Sequence, residues 1–232
     1  MMRLRSIILL TLGLVLIPVP TSAVCPTNRA GGSSPGGFYE ISSSSPTWSS
    51  GVVCGDFSLS LPAGTMELAG SGGGGEQSCG PFLSASDLYQ VVGPASAVPI
   101  PLEVRVHVTG SVTAELRSWP FIGLVCGGAQ MNFKLFSGAA STQFVGVNDF
   151  QPCAGKSFVT DLVLPLARLP GEQFPVGYDL FISSHGGTGT MRGEVSFANL
   201  PAGYSIVSCQ GYVGQPVPIV ARSWGRLKQA YR

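Results

Sequence analysis

The chain has 232 residues, a formal net charge of +1 and only 11% charged side chains. So little charge beside 44% hydrophobic residues excludes a solvated, disordered polymer. The 32 Gly and 18 Pro are scattered between apolar runs, which suits a fold with many tight turns.

The first element reads as an export leader. Arg3 and Arg5 precede an apolar stretch from Ile7 to Ile17, and Pro18, Pro20 and Thr21-Ser22-Ala23 follow. Small residues then stand at the −3 and −1 positions of a signal-peptidase site. A bilayer span needs about 20 apolar residues, so residues 1–23 are expected to be a cleaved signal peptide and not an anchor. No later segment has an apolar run long enough to span a bilayer, so no transmembrane span is expected in the mature chain. Export places the protein outside the cell or on its surface, where disulfides form and persist.

Six cysteines allow fifteen pairings if all of them pair. Spacing suggests Cys54 with Cys79 and Cys126 with Cys153, which leaves Cys25 with Cys209. Each of the first two closes a short loop, worth roughly 3–4 kcal/mol in the chain-entropy description. There is no C-x-x-C, so neither a zinc knuckle nor a redox pair is indicated. A lipid anchor on Cys25 is disfavoured because Val24 stands where such a site wants Gly or Ala.

After the leader, residues 24–36 read as a flexible Gly/Ser-rich arm, and Gly70 to Gly75 as a second loose stretch. Residues 37–214 read as one domain of strands. Phe57, Leu59 and Leu61 alternate with polar residues, as do Met131, Phe133 and Leu135. Val176, Tyr178, Leu180 and Ile182 share one parity, and so do Met191, Val195 and Phe197. Such alternation marks strands with one dry and one wet face. Phe158 to Leu166 is nearly continuous and apolar, which predicts a strand covered on both sides.

Between 102 and 118 the pattern suggests a hairpin with Thr109-Gly110-Ser111 as its loop. That register sets Val108 against Val112, Val106 against Ala114 and Val104 against Leu116. Arg105 then faces Glu115 and Glu103 faces Arg117. Leu61-Pro62-Ala63-Gly64 and Leu200-Pro201-Ala202-Gly203 suit type I turns, and Leu169-Pro170-Gly171-Glu172 suits type II. The fold class that follows is all-β: an antiparallel sandwich of jelly-roll or Greek-key type, disulfide-stabilised.

Candidate chemistry is sparse. Gly32-Ser33-Ser34-Pro35-Gly36 matches G-x-S-x-G, but it lacks the strand before and the helix after that a nucleophile elbow needs. Gly155-Lys156-Ser157 resembles the end of a phosphate loop, yet Phe150 replaces the first glycine and a strand pattern follows. His107 and His185 are the only histidines. A triad would need one of them beside an acid such as Asp161 or Asp179; both are expected to be ordinary surface histidines. No cofactor or metal motif is found, although Asn148 and Asp149 could offer oxygens to calcium. Glu103, Glu115 and Glu194 lie on strand faces, where a jelly-roll glycoside hydrolase would hold its two carboxylates. Trp48, Trp119, Tyr89, Tyr178 and Tyr204 could form a sugar-stacking platform, although core packing is the commoner use of such side chains.

The last element is residues 215–232, a Pro-rich linker and a basic tail. Residues 24–221 carry seven Lys or Arg against twelve Asp or Glu, a net charge of −5, whereas 222–232 carry four basic residues and no acid. The acidic body gives no electrostatic footprint for nucleic acid. Ser223 suits a helix cap, and Trp224, Leu227 and Tyr231 then share one face, with Arg226 and Lys228 around the rest. Such a helical tail is a candidate recognition or sorting tag for an envelope partner.

Leu200 to Tyr212, LPAGYSIVSCQGY, resembles the final strands of secreted bacterial β-sandwich proteins. The run 166–198, with its Leu-rich strand, Pro-Gly turn, aromatic strand and Gly-rich turn, is similar to the extracellular domains of PEP-CTERM and related choice-of-anchor proteins. The chain departs from them in having no Pro-Glu-Pro motif and no terminal transmembrane helix, so that sorting system is not implied. Trp224-Gly225-Arg226-Leu227-Lys228 resembles a short W-G-x-x-K tail of other exported bacterial proteins. The resemblance implies an exported β-sandwich and carries over no catalytic residue.

The expectation is therefore a non-catalytic, secreted or cell-surface β-sandwich with a structural or adhesive role. A carbohydrate-binding module is the alternative, and a glycoside hydrolase the second alternative. Intact-mass measurement of secreted protein, with and without reduction before alkylation, is expected to give a chain starting at Val24 with all six thiols blocked. A free thiol in the unreduced protein would contradict the disulfide framework.

Overall fold

The computed structural model describes residues 24–72, 79–114, 116–119, 123–147 and 153–214. Fifteen strands and no helix are formed among them. Residues 1–23, read above as a leader, Glu115, Asn148 and Asp149, and the tail with Trp224, Arg226, Leu227, Lys228 and Tyr231 lie outside the described residues.

In chain order the strands are β1 Asn28–Ser34, β2 Gly37–Ser43, β3 Thr47–Val52, β4 Gly55–Ser60, β5 Thr65–Ser71, β6 Gly80–Val92, β7 Ile100–Ala114, β8 Leu116–Trp119, β9 Gly123–Cys126, β10 Gly128–Ser137, β11 Ala140–Val147, β12 Lys156–Arg168, β13 Gln173–His185, β14 Gly187–Ala198 and β15 Ser205–Ser208. One sheet has seven strands in the order β11-β10-β13-β6-β1-β2, with β15 also on β6. The other has six, in the order β12-β7-β14-β5-β4-β3, and β8 with β9 makes a small ribbon. All the strand pairs are antiparallel. From β5 onward the chain passes back and forth between the two large sheets, so the sandwich is closed by many crossings.

The core lies between the sheets and is built by parity. Phe57, Leu59 and Leu61, then Met131, Phe133 and Leu135, then Val176, Tyr178, Leu180 and Ile182 are all buried, as the alternation predicts. Tyr89 and Tyr178 share an O–H···O contact of 3.0 Å inside this core, and burial raises both phenols above their ordinary range.

Three expectations change. First, the hairpin at 102–118 is one strand, β7, running straight through Thr109-Gly110-Ser111 with β12 on one side and β14 on the other. Its parity never flips: Val104, Val106, Val108 and Val112 are all buried. Gly110 is there for close packing and not for a turn. A Cβ on it would sit 2.8 Å from the Phe158 ring and 2.8 Å from the Thr190 carbonyl. Arg105 therefore pairs with Glu103 on its own strand at 2.6 Å, and Leu116 pairs with Cys126 instead of Val104.

Second, the Gly/Ser-rich arm is largely β1, hydrogen-bonded to β2 and β6. Gly31 is needed because a Cβ there would come 2.1 Å from the Tyr39 carbonyl oxygen. Third, β12 is an edge strand and not a doubly covered one. Leu162 and Leu164 are buried while Val159 is 68% exposed. Pro165, which has no N–H to donate, is tolerable on such an edge.

The turns follow their chemistry. Gly64 donates to Leu61 O at 3.0 Å, closing the Pro62-Ala63 turn. Glu172 donates to Leu169 O at 3.0 Å, with Gly171 at φ 86° as a type II turn requires. In the second Leu-Pro-Ala-Gly copy the hydrogen bond is shifted by one residue, from Tyr204 to Pro201 O. That puts Gly203, at φ 90°, in the third position of its turn.

All three disulfides join the expected partners: Cys25–Cys209, Cys54–Cys79 and Cys126–Cys153. The first ties the two ends of the described body together over a separation of 184 residues. Beside it lies a buried polar clasp. Gln210 donates from its amide nitrogen to Asp87 Oδ1 at 3.1 Å and from its side chain to Pro26 O and Ser86 O. Asn28 donates to Gln210 Oε1 and accepts from the Ser86 amide. Among the described residues no helix is long and apolar enough to cross a membrane.

Asp87 is fully buried, and burial raises its carboxyl above the ordinary carboxylate value against the pull of the Ser208 side chain and the Gln210 and Leu88 amides. A raised folded-state pKa stabilises the fold below the ordinary value, and that contribution is lost as pH rises through the raised one. Asp87→Asn keeps the acceptor oxygen and removes the titration. Wild-type melting temperature is expected to fall relative to Asp87→Asn as pH rises from about 4 to about 7. A pH-independent difference would contradict the assignment.

Candidate functional site

Because side chains alternate, every strand that buries one parity displays the other, and the two outer faces are where ligands can be met. They differ in chemistry.

The outer face of the six-stranded sheet is charged. Arg192 on β14 reaches Glu67 on β5 at 2.9 Å and Glu194 on its own strand at 2.8 Å. Ser58 on β4 donates to Glu67 at 3.3 Å. On β7, His107 lies between Asp161 of β12 and Glu194 of β14 in the strand register, and its Nδ1 is 2.7 Å from Asp161 Oδ1. The histidine thus has the acid that a triad would require, but neither cross-strand partner is a serine, and both His107 and Asp161 are open to solvent. His185 ends β13 and is exposed. The Gly32–Gly36 serine motif forms the β1–β2 hairpin, and Lys156 begins β12, so neither has the helix its enzymatic counterpart needs. Of the carboxylates considered for glycoside hydrolysis, Glu103 is held by Arg105 and Glu194 by Arg192. Among the described residues no three His, Cys, Asp or Glu side chains group as metal ligands.

The outer face of the seven-stranded sheet carries aromatic rings. Phe181 on β13 is the direct cross-strand partner of Phe82 on β6. Phe82 in turn lies over Gly31 of β1, where a Cβ would be 2.8 Å from its ring. Phe38 on β2 completes the row, its ring 5.7 Å from that of Phe82 and parallel to it within 7°. Gly80 leaves similar room beside Phe181. The two glycines let rings from neighbouring strands lie across the sheet. Phe38 is 67% exposed and Phe181 40%, and Phe82 is half-buried between them.

Polar groups border the row. Arg29 and Glu40 approach to 3.9 Å on β1 and β2. Ser84 donates to Asp179 at 2.7 Å on β6 and β13. Lys134 stands in register with Asp179, its ammonium 5.5 Å from the Phe136 ring centre. Asn132, in register with Phe181, has a shielded Oδ1 without a hydrogen-bond partner among the described residues.

This row is not the platform read from the sequence. Tyr89 and Tyr178 are buried, Trp48 packs edge-on against Phe57 at 4.6 Å, and Tyr204 covers Gly93. The side chain of Trp119 lies outside the described residues. The signal that marks the real row is an aromatic on the wrong parity. Phe181 falls out of step with Tyr178, Leu180 and Ile182, and Phe82 out of step with Leu83 and Ala85.

No protein-family model matches the chain, and no curated protein matches it. Among solved structures the chain is similar to TmCBM61, a carbohydrate-binding module solved in complex with beta-1,4-galactotriose. The alignment covers 58% of this chain and 70% of that one at 11% identity, with a TM-score of 0.27. A likeness at that level carries no argument, and the residues must supply it.

The Arg192 cluster is exposed, and exposed ion pairs contribute little to stability. Arg192→Ala is expected to change unfolding free energy in urea by less than about 1 kcal/mol. A much larger loss would show that the cluster holds the sheet together.

Proposed function

We propose that the protein is an exported, non-catalytic β-sandwich with an adhesive role, which holds a glycan on the outer face of its seven-stranded sheet. The observation that carries the reading is the exposed Phe181–Phe82–Phe38 row. Large apolar side chains grouped on a surface mark a contact site. A pyranose has an apolar C–H face and a rim of hydroxyls. Rings that lie across the sheet suit the first, and the bordering Arg29, Glu40, Ser84, Asp179 and Asn132 suit the second. One strand spacing of about 4.8 Å between Phe181 and Phe82 and the 5.7 Å between the Phe82 and Phe38 rings give the row a length of roughly 10 Å, enough for a short oligosaccharide. The charges around it balance, two basic against two acidic, which favours a neutral sugar. Three disulfides fit work outside the cell, as does the leader.

The same geometry supports binding over hydrolysis. The row has no carboxylate pair facing across an enclosed cleft, and its acids lie at the border of an open sheet. Binding to printed neutral oligosaccharides is expected, without release of reducing ends. Phe181→Ala should weaken it by at least about tenfold, equivalent to about 1.4 kcal/mol. Phe181 is outside the core, so the melting temperature should hardly move. Unchanged glycan affinity in this variant would overturn the reading.

A further inference from the structure

The six-stranded sheet has a feature that its charged clusters do not explain. A depression of about 550 Å³ crosses its outer face. The register shows how it arises. Ser111, Thr190, Ala69 and Asp56 stand side by side on β7, β14, β5 and β4. The next row along the strands is Thr109, Arg192, Glu67 and Ser58. The first row is mostly short side chains and the second contains the two longest, so a trough runs across four strands with the Arg192–Glu67 pair as its wall. Four strands at about 4.8 Å spacing make it roughly 14 Å long.

The groups along the trough are those that bind hydroxyls. Ser111 and Thr190 are linked at 2.9 Å, and each hydroxyl can both donate and accept. Arg192 offers N–H groups, already oriented by Glu67 and Glu194. The Asp56 side chain has no hydrogen bond or ion pair among the described residues, so its carboxylate is free to accept. Two carboxylates, Asp56 and Glu67, against one guanidinium disfavour an anionic ligand. Its exposed side chains include no aromatic ring, so this is a hydrogen-bonding site and not a stacking one.

We infer that this trough is a second glycan site, specific for neutral oligosaccharides, and that the domain bridges two sugar chains across its thickness. The bridging part rests on the reading of the phenylalanine row given above, whereas the trough stands on its own residues. A ligand seated here would lie on the sheet opposite Phe181, with the core between them.

The test uses the full secreted chain and a printed array of neutral, uronic and sulfated oligosaccharides, followed by calorimetric titration with the best neutral binder. Wild type is expected to prefer neutral sugars and to titrate with two sites. Ala69→Leu, which fills the trough, and Asp56→Asn, which keeps its shape, should each abolish or weaken one site by about tenfold or more. Phe181→Ala should remove the other. The paired Ala69→Leu, Phe181→Ala variant should bind nothing, and polysaccharide turbidity should disappear with either single loss. One site, lost in Phe181→Ala and untouched by Ala69→Leu and Asp56→Asn, would overturn the trough and leave the row standing. One site lost only in the trough variants would do the reverse. Preference for uronic or sulfated sugars, or no binding at all, would overturn the trough as well.

Discussion

The constraint on which the structure depends is the unbroken burial of one parity along its longest strands. On β7, Leu102, Val104, Val106, Val108 and Val112 are each at most 1% exposed. Moving the register by a single residue would put Leu102 and all four of these valines in water and Glu103, Arg105 and His107 in the core. At about 25 cal/mol per Å² of apolar surface, that slip costs far more than any surface contact could return. The odd residues are therefore fixed on the outer face, level with their partners on β12 and β14. The charged clusters and the trough beside them are consequences of this register. The same logic on β6 and β13 buries Leu83, Ala85, Tyr178 and Leu180 and leaves Phe82 and Phe181 side by side outside.

Much of this was legible in the sequence because period-two alternation is local. Phe57-Leu59-Leu61 and Met131-Phe133-Leu135 declare their buried parity without any partner. The hairpin reading at 102–118 failed where local turn chemistry and parity agreed with each other and the strand partners decided otherwise. Gly110-Ser111 has the composition of a turn, and the shared parity of Val108 and Val112 suits a three-residue hairpin loop as well as a continuous strand, so only the pairing with β12 and β14 separates the two. The glycine answers a tertiary demand, the closeness of Phe158 and the Thr190 carbonyl. Asn28–Ser34 failed for a related reason. Its Gly and Ser read as a loose linker, whereas Gly31 and Gly32 are the residues that let β1 fit between its neighbours. Phe158–Leu166 has apolar residues on both parities, Phe158, Leu162, Leu164 and Leu166 on one and Val159 and Val163 on the other, and nothing local distinguishes a covered second face from an open one.

Features that join distant strands were less legible. The disulfide between Cys25 and Cys209 followed from elimination, but the Asn28–Asp87–Gln210 clasp beside it needs three segments in register. The aromatic row has the same character. Each phenylalanine is visible as a ring on the wet parity of its own strand. That three of them meet depends on β13 pairing with β6 at Phe181–Phe82, and on Gly31 leaving space for the ring to reach toward β2. Counting aromatic residues pointed instead to Tyr89 and Tyr178, which the core consumes.

The two outer faces also share a mechanical property. Their side chains stand on paired strands, not on loops, and the two large sheets are joined by the Cys54–Cys79 disulfide and by many chain crossings. Residues held this way lose little further freedom when a ligand arrives, which lowers the entropic cost of binding. On the proposed reading, a single open face makes few contacts with a sugar and its affinity alone is expected to be modest. Two such faces on opposite sides of one rigid body change the arithmetic. When the glycan is a surface or a matrix, one engagement raises the local concentration for the next. On that reading weak contacts add up to retention without a deep cleft.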